Sequence, residues 1–174
     1  YFMATFTLPY EFRVLAVTHP KALYQLLFMV VASIMKDFAY NKHQGEIGFT
    51  MVLHTHNRKR DLHPHIHVVI PAGYYIKARQ QWHKGTKNYL HNEFALANVW
   101  RARILEAINQ HDTLQLPKKY PKDWVVDCRS VGYGEHALQY LSRYLYRGVL
   151  PDKDITSITA DSVTFQYRDS ETKQ

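Results

Sequence analysis

Apolar and polar positions follow two different periods along the chain, and these periods predict strands and helices in separate stretches. Short runs rich in β-branched and aromatic residues predict strands, whereas longer runs with helical spacing predict helices. The predicted strands are "YFMATFTLP", "EIGFTMVLHTH", "HPHIHVVIP" and "WVVDCRSV", followed by a hairpin, "ITSITADSVTFQYRD", that turns at Ala160–Ser162. The predicted helices are "HPKALYQLLFMVVASIMKDFAYNKH", "HNEFALANVWRARILEAINQH" and "GEHALQYLSRYLYRGV", the last ending at Gly148.

This order of elements predicts an α+β fold with a central, mostly antiparallel β-sheet of about five strands flanked by helices. The polar turn "NRKRDL" joins the second and third strands into a hairpin whose loop is longer than the tight two-residue type. The polar and aromatic stretch "AGYYIKARQQWHKGTKNYL" predicts an excursion with little regular structure. Residues 1–174 are interpreted as a single domain. Because the chain starts within a predicted strand, we expect it to be part of a longer protein.

Composition and charge indicate the class of partner and the cellular compartment. Hydrophobic residues make up 46% of the chain, which is typical of a globular protein. The 22 Lys and Arg exceed the 15 Asp and Glu, and a net charge of +7 favours nucleic acid over a membrane surface as partner. Cys128 is the only cysteine, which excludes an internal disulfide, and we interpret it as a packed thiol in a reducing, cytoplasmic compartment. The apolar stretch "ALYQLLFMVVASIM" is interpreted as too short to span a bilayer, and no secretory signal is visible.

Histidines recur at every second position of the third predicted strand. His63, His65 and His67 therefore point to one face, opposite to Ile66 and its apolar neighbours, and we expect that face to line a cleft or solvent. The preceding strand supplies two more candidates, His54 and His56. Neutral imidazoles suit a divalent metal, and two or three of them leave open positions for Lewis-acid catalysis. The alternative is a histidine-rich surface strand with no ligand.

Two tyrosines lie four residues apart on the last predicted helix, so Tyr140 and Tyr144 share one face. Such pairs are commonly half-buried packing residues. Arg143 and Arg147 accompany them as possible phosphate contacts, and a tyrosyl oxygen is able to attack phosphorus. The second hypothesis is therefore a tyrosine nucleophile that forms a 5′-phosphotyrosine link and conserves the phosphodiester energy for rejoining.

These stretches resemble a known superfamily. The "HIH" of residues 65–67 matches the His-hydrophobe-His signature of HUH endonucleases, which nick single-stranded DNA through a tyrosine. The "YLSRY" pair on a later helix is similar to that of two-tyrosine rolling-circle insertion-sequence transposases. The stretches "FTLPYEFR", "LHTHNRKRDLHPHIHVVIPAG", "YLSRYLYRGV" and "VTFQYRD" carry the resemblance in the family's order.

The resemblance implies a role for each matching residue. It makes His65 and His67 metal ligands, with His54 as the first candidate for a third ligand and His56 as the second. It makes Tyr140 and Tyr144 the nucleophiles. The implied cofactor is Mg²⁺ or Mn²⁺, and the implied partner is single-stranded DNA at transposon ends. Expected DNA contacts are Arg58, Lys59, Arg60, His63, Arg143 and Arg147, with Lys77, Arg79, Lys84 and Lys87 as further cations and Tyr74, Tyr75 and Trp82 as stacking residues.

The function implied by the resemblance is metal-dependent nicking and strand transfer in rolling-circle DNA transposition, in the cytoplasm and at the nucleoid of a bacterium. Full-length relatives start with a Cys-rich zinc-binding segment that has no counterpart in these residues. Three alternatives stay open: a rolling-circle replication initiator of the same superfamily, a DNA-binding module without cleavage, and a metal-dependent phosphoesterase that uses water. The last of these predicts no covalent adduct with DNA.

Overall fold

The computed structural model describes residues 1–57, 60–85, 90–135, 139, 141–142 and 152–166, with residues 42 and 43 by backbone only. The helices are α1 (Arg13–Thr18), α2 (Pro20–His43) and α3 (Glu93–Asn109), and helical backbone is also present at residues 135, 139 and 141–142. The strands are β1 (Phe2–Thr7), β2 (Thr50–His56), β3 (Leu62–Ile70), β4 (Gly73–Ile76), β5 (Gln81–Lys84), β6 (Val126–Ser130), β7 (Ile155–Ile158) and β8 (Val163–Phe165).

A four-stranded antiparallel sheet organises the fold, in the order β2-β3-β1-β6. The predicted α+β class and antiparallel sheet are confirmed, although the main sheet has four strands, rather than about five, within the described residues. The histidine-bearing β3 lies between β1 and β2, so its side chains are supported from both sides. The predicted C-terminal hairpin is present as β7 and β8.

The two faces of the sheet differ in what packs against them. One face packs against α2 and α3 and forms the main core, in which Phe6, Ile66 and Trp100 are each 1% exposed. The Trp100 ring meets Phe6 edge-on at 5.6 Å between centroids, and its Nε1–H donates to the Thr7 carbonyl oxygen at 3.1 Å. Because successive side chains of a strand point to opposite faces, the histidines of β3 project from the face opposite α2 and α3.

Helix α2 follows the predicted boundaries. Pro20 occupies its first turn, where a missing N–H costs nothing, and Gln44 ends it in the left-handed region at φ 51°. By length and composition alone the stretch Pro20–Asn41 could cross a membrane, so the inference that the apolar run is too short was wrong. Its packing is that of a core helix, since Leu27, Val31 and Ile34 are at most 1% exposed within the main core.

The stretch after β3 was predicted to have little regular structure, and that prediction was wrong. Strands β4 and β5 form a hairpin that pairs Tyr75 with Trp82. Gly73 allows the close approach, because a Cβ there would lie 2.5 Å from Cζ2 of the Trp82 indole. Each strand has only four residues, which is too short for alternation to identify it against a polar background.

Cys128 on β6 fits its interpretation as a packed thiol. The side chain is half-buried, and burial raises its pKa to about 11. A thiol with so high a pKa is largely protonated near neutral pH and therefore unreactive.

Candidate functional site

Three imidazoles converge on the face of the sheet opposite α2 and α3. The register of the β2–β3 hairpin places His54 directly opposite His65, and His67 lies two residues further along β3. Ring centroids are 5.1 Å apart for His54 and His65, 4.5 Å for His54 and His67, and 4.9 Å for His65 and His67. One ring nitrogen from each lies within 4.8 Å of the others, so the three form a group able to hold a metal ion.

Hydrogen bonds orient two of these rings. The His65 Nδ1–H donates to the His63 carbonyl oxygen at 2.6 Å, because a carbonyl oxygen only accepts. The His67 Nδ1 lies 2.9 Å from the Thr5 hydroxyl on β1. When Nδ1 carries the proton, Nε2 keeps its lone pair, which is the arrangement that metal-binding histidines adopt when a neighbour holds the other nitrogen. The His63 carbonyl thus sets His65 for ligation through Nε2, and the Thr5 hydroxyl fixes the orientation of the His67 ring.

Burial keeps the cluster neutral. Burial, together with a smaller effect of the neighbouring imidazoles, lowers the pKa of His67 to about 3 and that of His54 to about 4. Burial also lowers the pKa of His65. The two lowest values belong to side chains only 7% and 6% exposed, so these histidines are buried rather than lining an open cleft. A set of neutral nitrogen donors at pH 7 fits a divalent ion, with positions left for water or a phosphate oxygen.

The two other histidines of the hairpin lie outside this group. A bulge between His54 and His56 shifts the register, so that His56 opposes Leu62, and its Nδ1 lies 2.9 Å from the Thr55 hydroxyl. The structure therefore brings His54, and not His56, to His65 and His67. The His63 Nδ1 accepts a hydrogen bond from the Arg13 guanidinium at 3.0 Å. Its ring is 5.6 Å from that of His65, at the edge of the cluster.

The predicted nucleophiles, Tyr140 and Tyr144, lie outside the described residues, as do Arg58, Lys59, Lys87, Arg143 and Arg147. The described part of the helix still gives its location through Leu141, which is 2% exposed and packs against Val52 and Val69. Val52 precedes His54 by two residues and Val69 follows His67 by two, so both point to the histidine face. The described helical residue Leu141, which follows Tyr140 in the sequence, therefore packs on the face that carries His54, His65 and His67, here called the triad.

The remaining predicted DNA contacts lie on two turns. Arg60 sits in the β2–β3 turn with φ 68°, and its guanidinium lies 5.8 Å from the centroid of the Phe165 ring. On the β4–β5 hairpin, Tyr75 and Trp82 are 37% and 50% exposed, while Tyr74 stacks on His83 at 5.6 Å. The exposed cations of that hairpin are Lys77, Arg79 and Lys84.

Sequence reasoning missed Thr5 and Arg13. Thr5 stands two residues before Thr7 on the strand face that meets the histidines, and this parity was a readable signal. Arg13 has no such parity signal, because it lies on α1 and strand alternation does not place it beside His63.

The chain matches one protein family over most of its length. Residues 48–174 match the family described as "Putative transposase". The chain belongs to this transposase family. "Putative transposase y4qJ" of Sinorhizobium fredii (strain NBRC 101917 / NGR234) is 28% identical to it over 192 residues. That alignment covers 97% of this chain and 48% of the relative, so the chain spans about half the length of the curated relative it matches.

Solved structures of the conjugative relaxase TrwC share the fold. A metal-free complex with OriT DNA aligns with a TM-score of 0.53 at 19% identity, over 91% of this chain and 61% of TrwC. A complex with a 27-mer DNA comprising the recognition hairpin and the cleavage site gives 0.53 at 20% identity, over the same shares. A metal-bound complex gives 0.52 at 20%, over 90% of this chain and 59% of TrwC. The predicted membership of a transposase family is thereby confirmed, and the predicted fold is that of the relaxase structures.

Proposed function

We propose that this transposase domain nicks single-stranded DNA and transfers the strand through a 5′-phosphotyrosine intermediate, with a divalent metal ion, in rolling-circle transposition. Membership of a transposase family and a relaxase-like fold support DNA cleavage in general. The observation that carries the finer proposal is the His54–His65–His67 group on the same sheet face against which Leu141 packs.

The ligands we propose are His54, His65 and His67, and the ion is Mg²⁺ or Mn²⁺. A divalent ion held there would polarise the scissile phosphate and stabilise the charge that develops on the departing 3′ oxygen. The chain's own contribution is to present neutral imidazoles. Thr5 and the His63 carbonyl oxygen hold the rings of His67 and His65, so little reorganisation is needed when a ligand arrives.

Tyr140 and Tyr144 are the proposed nucleophiles. Tyr140 directly precedes Leu141 in the sequence and Tyr144 follows it by three residues, and Leu141 itself packs on the sheet face that carries the three histidines. In the proposed step the tyrosyl oxygen attacks phosphorus, the bond from phosphorus to the 3′ oxygen breaks, and the phenolic proton is passed on to that oxygen. The products are a 5′-phosphotyrosine and a free 3′-hydroxyl, and the number of phosphodiester bonds is unchanged.

The proposed partner is single-stranded DNA at the ends of the transposon. The relaxase TrwC was solved in complex with a DNA that comprises a recognition hairpin and a cleavage site, which supports this choice. The net charge of +7 supports it independently. Arg58, Lys59, Arg60, His63, Arg143 and Arg147 are the proposed contacts. We further propose that residues 1–174 form one nickase domain of a longer transposase that acts in the cytoplasm, at the nucleoid.

The test is a search for the covalent intermediate. The protein is incubated with Mn²⁺ and labelled single-stranded oligonucleotides that cover both ends of its transposon, and a denaturing gel resolves protein–DNA adducts. Tyr140→Phe, Tyr144→Phe and the double variant run beside wild type. Tyr133→Phe serves as control, since Tyr133 is 97% exposed. We expect the adduct with wild type and the control, and no adduct with the double variant.

The other outcomes select the alternatives. Cleavage without an adduct would replace the tyrosine nucleophile by water and contradict the proposal. Binding without cleavage of any strand would favour a DNA-binding module. A replication initiator shares the cleavage chemistry, and transfer of the bound strand to a second transposon end separates the two roles.

A further inference from the structure

Arg13 lies at the edge of the histidine cluster with most of its hydrogen-bonding capacity uncommitted. One of its terminal nitrogens donates to the His63 Nδ1 at 3.0 Å. Its Nε is buried and has no hydrogen-bond partner within the part of the chain that the structure describes. Among those residues no carboxylate forms an ion pair with it either, whereas Arg103 and Arg129 each pair with an aspartate at 2.7 Å. A half-buried guanidinium that forms no ion pair within the described part of the chain is suited to an anion from outside.

Tyr10 completes a surface with Arg13. The Arg13 guanidinium lies over the Tyr10 ring at 4.4 Å from its centroid, yet Tyr10 is 70% exposed. An exposed aromatic ring fixed by a cation is a platform on which a base is able to stack. Both residues follow β1 directly, and the Leu8 N–H donates to the Pro64 carbonyl oxygen at 3.3 Å, which ties this segment to the histidine end of β3.

The contact with His63 links this surface to the triad. Because Arg13 donates to Nδ1, the His63 proton resides on Nε2, which becomes a second donor at the same edge. The His63 ring is 5.6 Å from that of His65, and Arg13 contacts His63, so Arg13 lies next to the triad on the His63 side. A phosphate there would meet two donors and one full positive charge.

We propose that Arg13, Tyr10 and the His63 Nε2–H form a nucleotide subsite that holds the strand next to the scissile phosphate, with Arg13 on a phosphate and Tyr10 under an unstacked base. This subsite rests on the proposed nicking function. It assigns to the "PYEFR" segment a part in substrate binding that is separate from metal ligation.

Binding without cleavage tests the subsite. Affinity for a labelled single-stranded oligonucleotide is measured by fluorescence anisotropy in EDTA at several salt concentrations, with Arg13→Gln, Arg13→Lys, Tyr10→Ala and Tyr10→Phe. Lys36→Gln removes the same charge from an exposed position on α2, which packs on the other face of the sheet. Mn²⁺ affinity and the midpoint of thermal unfolding are measured for every variant.

Loss of one phosphate contact lowers the slope of log affinity against log salt by about 0.7 for single strands, and we expect this for Arg13→Gln but not for Lys36→Gln. We expect Arg13→Lys to keep the wild-type salt slope but only part of the DNA affinity, because a lysine keeps the positive charge and loses the bidentate hydrogen bonds of the guanidinium. Tyr10→Ala should weaken binding about tenfold and Tyr10→Phe much less, since the phenyl ring still stacks.

An unchanged salt slope in Arg13→Gln would overturn the subsite. So would an equal fall in DNA affinity for Lys36→Gln, since a general loss of positive charge would then account for the whole effect. Because no step needs cleavage, failure of the tyrosine chemistry would leave this result intact, and failure of the subsite would leave adduct formation intact.

Discussion

His67 shows how single residues prepare the site. Its ring stands between the Thr5 hydroxyl on β1 and the imidazole of His54 on β2, so each of its two neighbouring strands contributes one contact. His65 is held by the carbonyl oxygen of His63, two residues earlier on its own strand. Ligands whose second nitrogen is already held lose less freedom when they bind an ion.

The choice of the third ligand is testable at this scale. We expect His54→Ala, His65→Ala and His67→Ala each to lower Mn²⁺ affinity by about tenfold or more, because each removes one of three nitrogen donors. His56→Ala should bind Mn²⁺ as wild type does, since its ring lies beyond the bulge. Isothermal titration calorimetry measures all four. Equal losses in His54→Ala and His56→Ala would contradict the assignment.

The same histidines make the metal-free protein sensitive to acid. In the folded chain the pKa of His54 is about 4 and that of His67 about 3, against 6.5 for an ordinary histidine. Below pH 6.5 the unfolded chain therefore binds protons at these histidines and the folded chain does not, so the free energy of unfolding falls as the pH drops toward 4. Above pH 6.5 both states are unprotonated at these histidines, which then add no pH dependence.

Urea unfolding in EDTA between pH 7.5 and 4.5 checks this expectation. A His54→Asn/His67→Asn double variant should lose stability less steeply than wild type as pH falls. His19→Asn, at an exposed position, should follow wild type. Equal slopes for wild type and the double variant would show that the two histidines do not resist protonation.

At the scale of elements, sequence reasoning succeeded where a periodic signal was long. The nine residues of β3 and the 24 of α2 carry enough positions to define a face. The parity of β2 against β3 predicted that His54 and His56 both lie across from the histidines of β3, and the bulge that separates the two had no signal in the sequence. The β4–β5 hairpin was not predicted because its strands have only four residues each, too few for alternation to define a face. The contact between Arg13 and His63 depends on the packing of α1 against β3, which no local pattern encodes.

The β4–β5 hairpin offers a second contact for DNA. Between Gly73 and Gly85 the sequence holds Lys77, Arg79 and Lys84 and no acidic residue, beside the exposed rings of Tyr75 and Trp82. We expect Trp82→Ala to weaken binding of single-stranded DNA about tenfold and Trp82→Phe to weaken it less, because stacking depends on the ring face. Fluorescence anisotropy measures the affinity, with Tyr133→Ala as the control for loss of an exposed aromatic. Unchanged affinity in Trp82→Ala would remove the hairpin from the binding surface.

At the scale of the whole molecule, the main hydrophobic core and the candidate metal ligands lie on opposite faces of the sheet. Helices α2 and α3 and the apolar side chains of the strands build the core on one face, while the histidines, Thr5 and Leu141 occupy the other. A buried core on one side allows the opposite side to carry groups chosen for reactivity rather than for packing. The transposase family and the relaxase-like fold are consistent with a site built on that face.

The most direct measurement of the central claim is which end of a cleaved strand stays on the protein. One oligonucleotide from the transposon end is labelled at its 5′ end in one reaction and at its 3′ end in another, with Mn²⁺ present. The account predicts that the 3′-labelled fragment migrates with the protein on a denaturing gel, while the 5′-labelled fragment is released with a 3′-hydroxyl that a polymerase extends. Release of both fragments, or retention of the 5′ label, would contradict a 5′-phosphotyrosine intermediate.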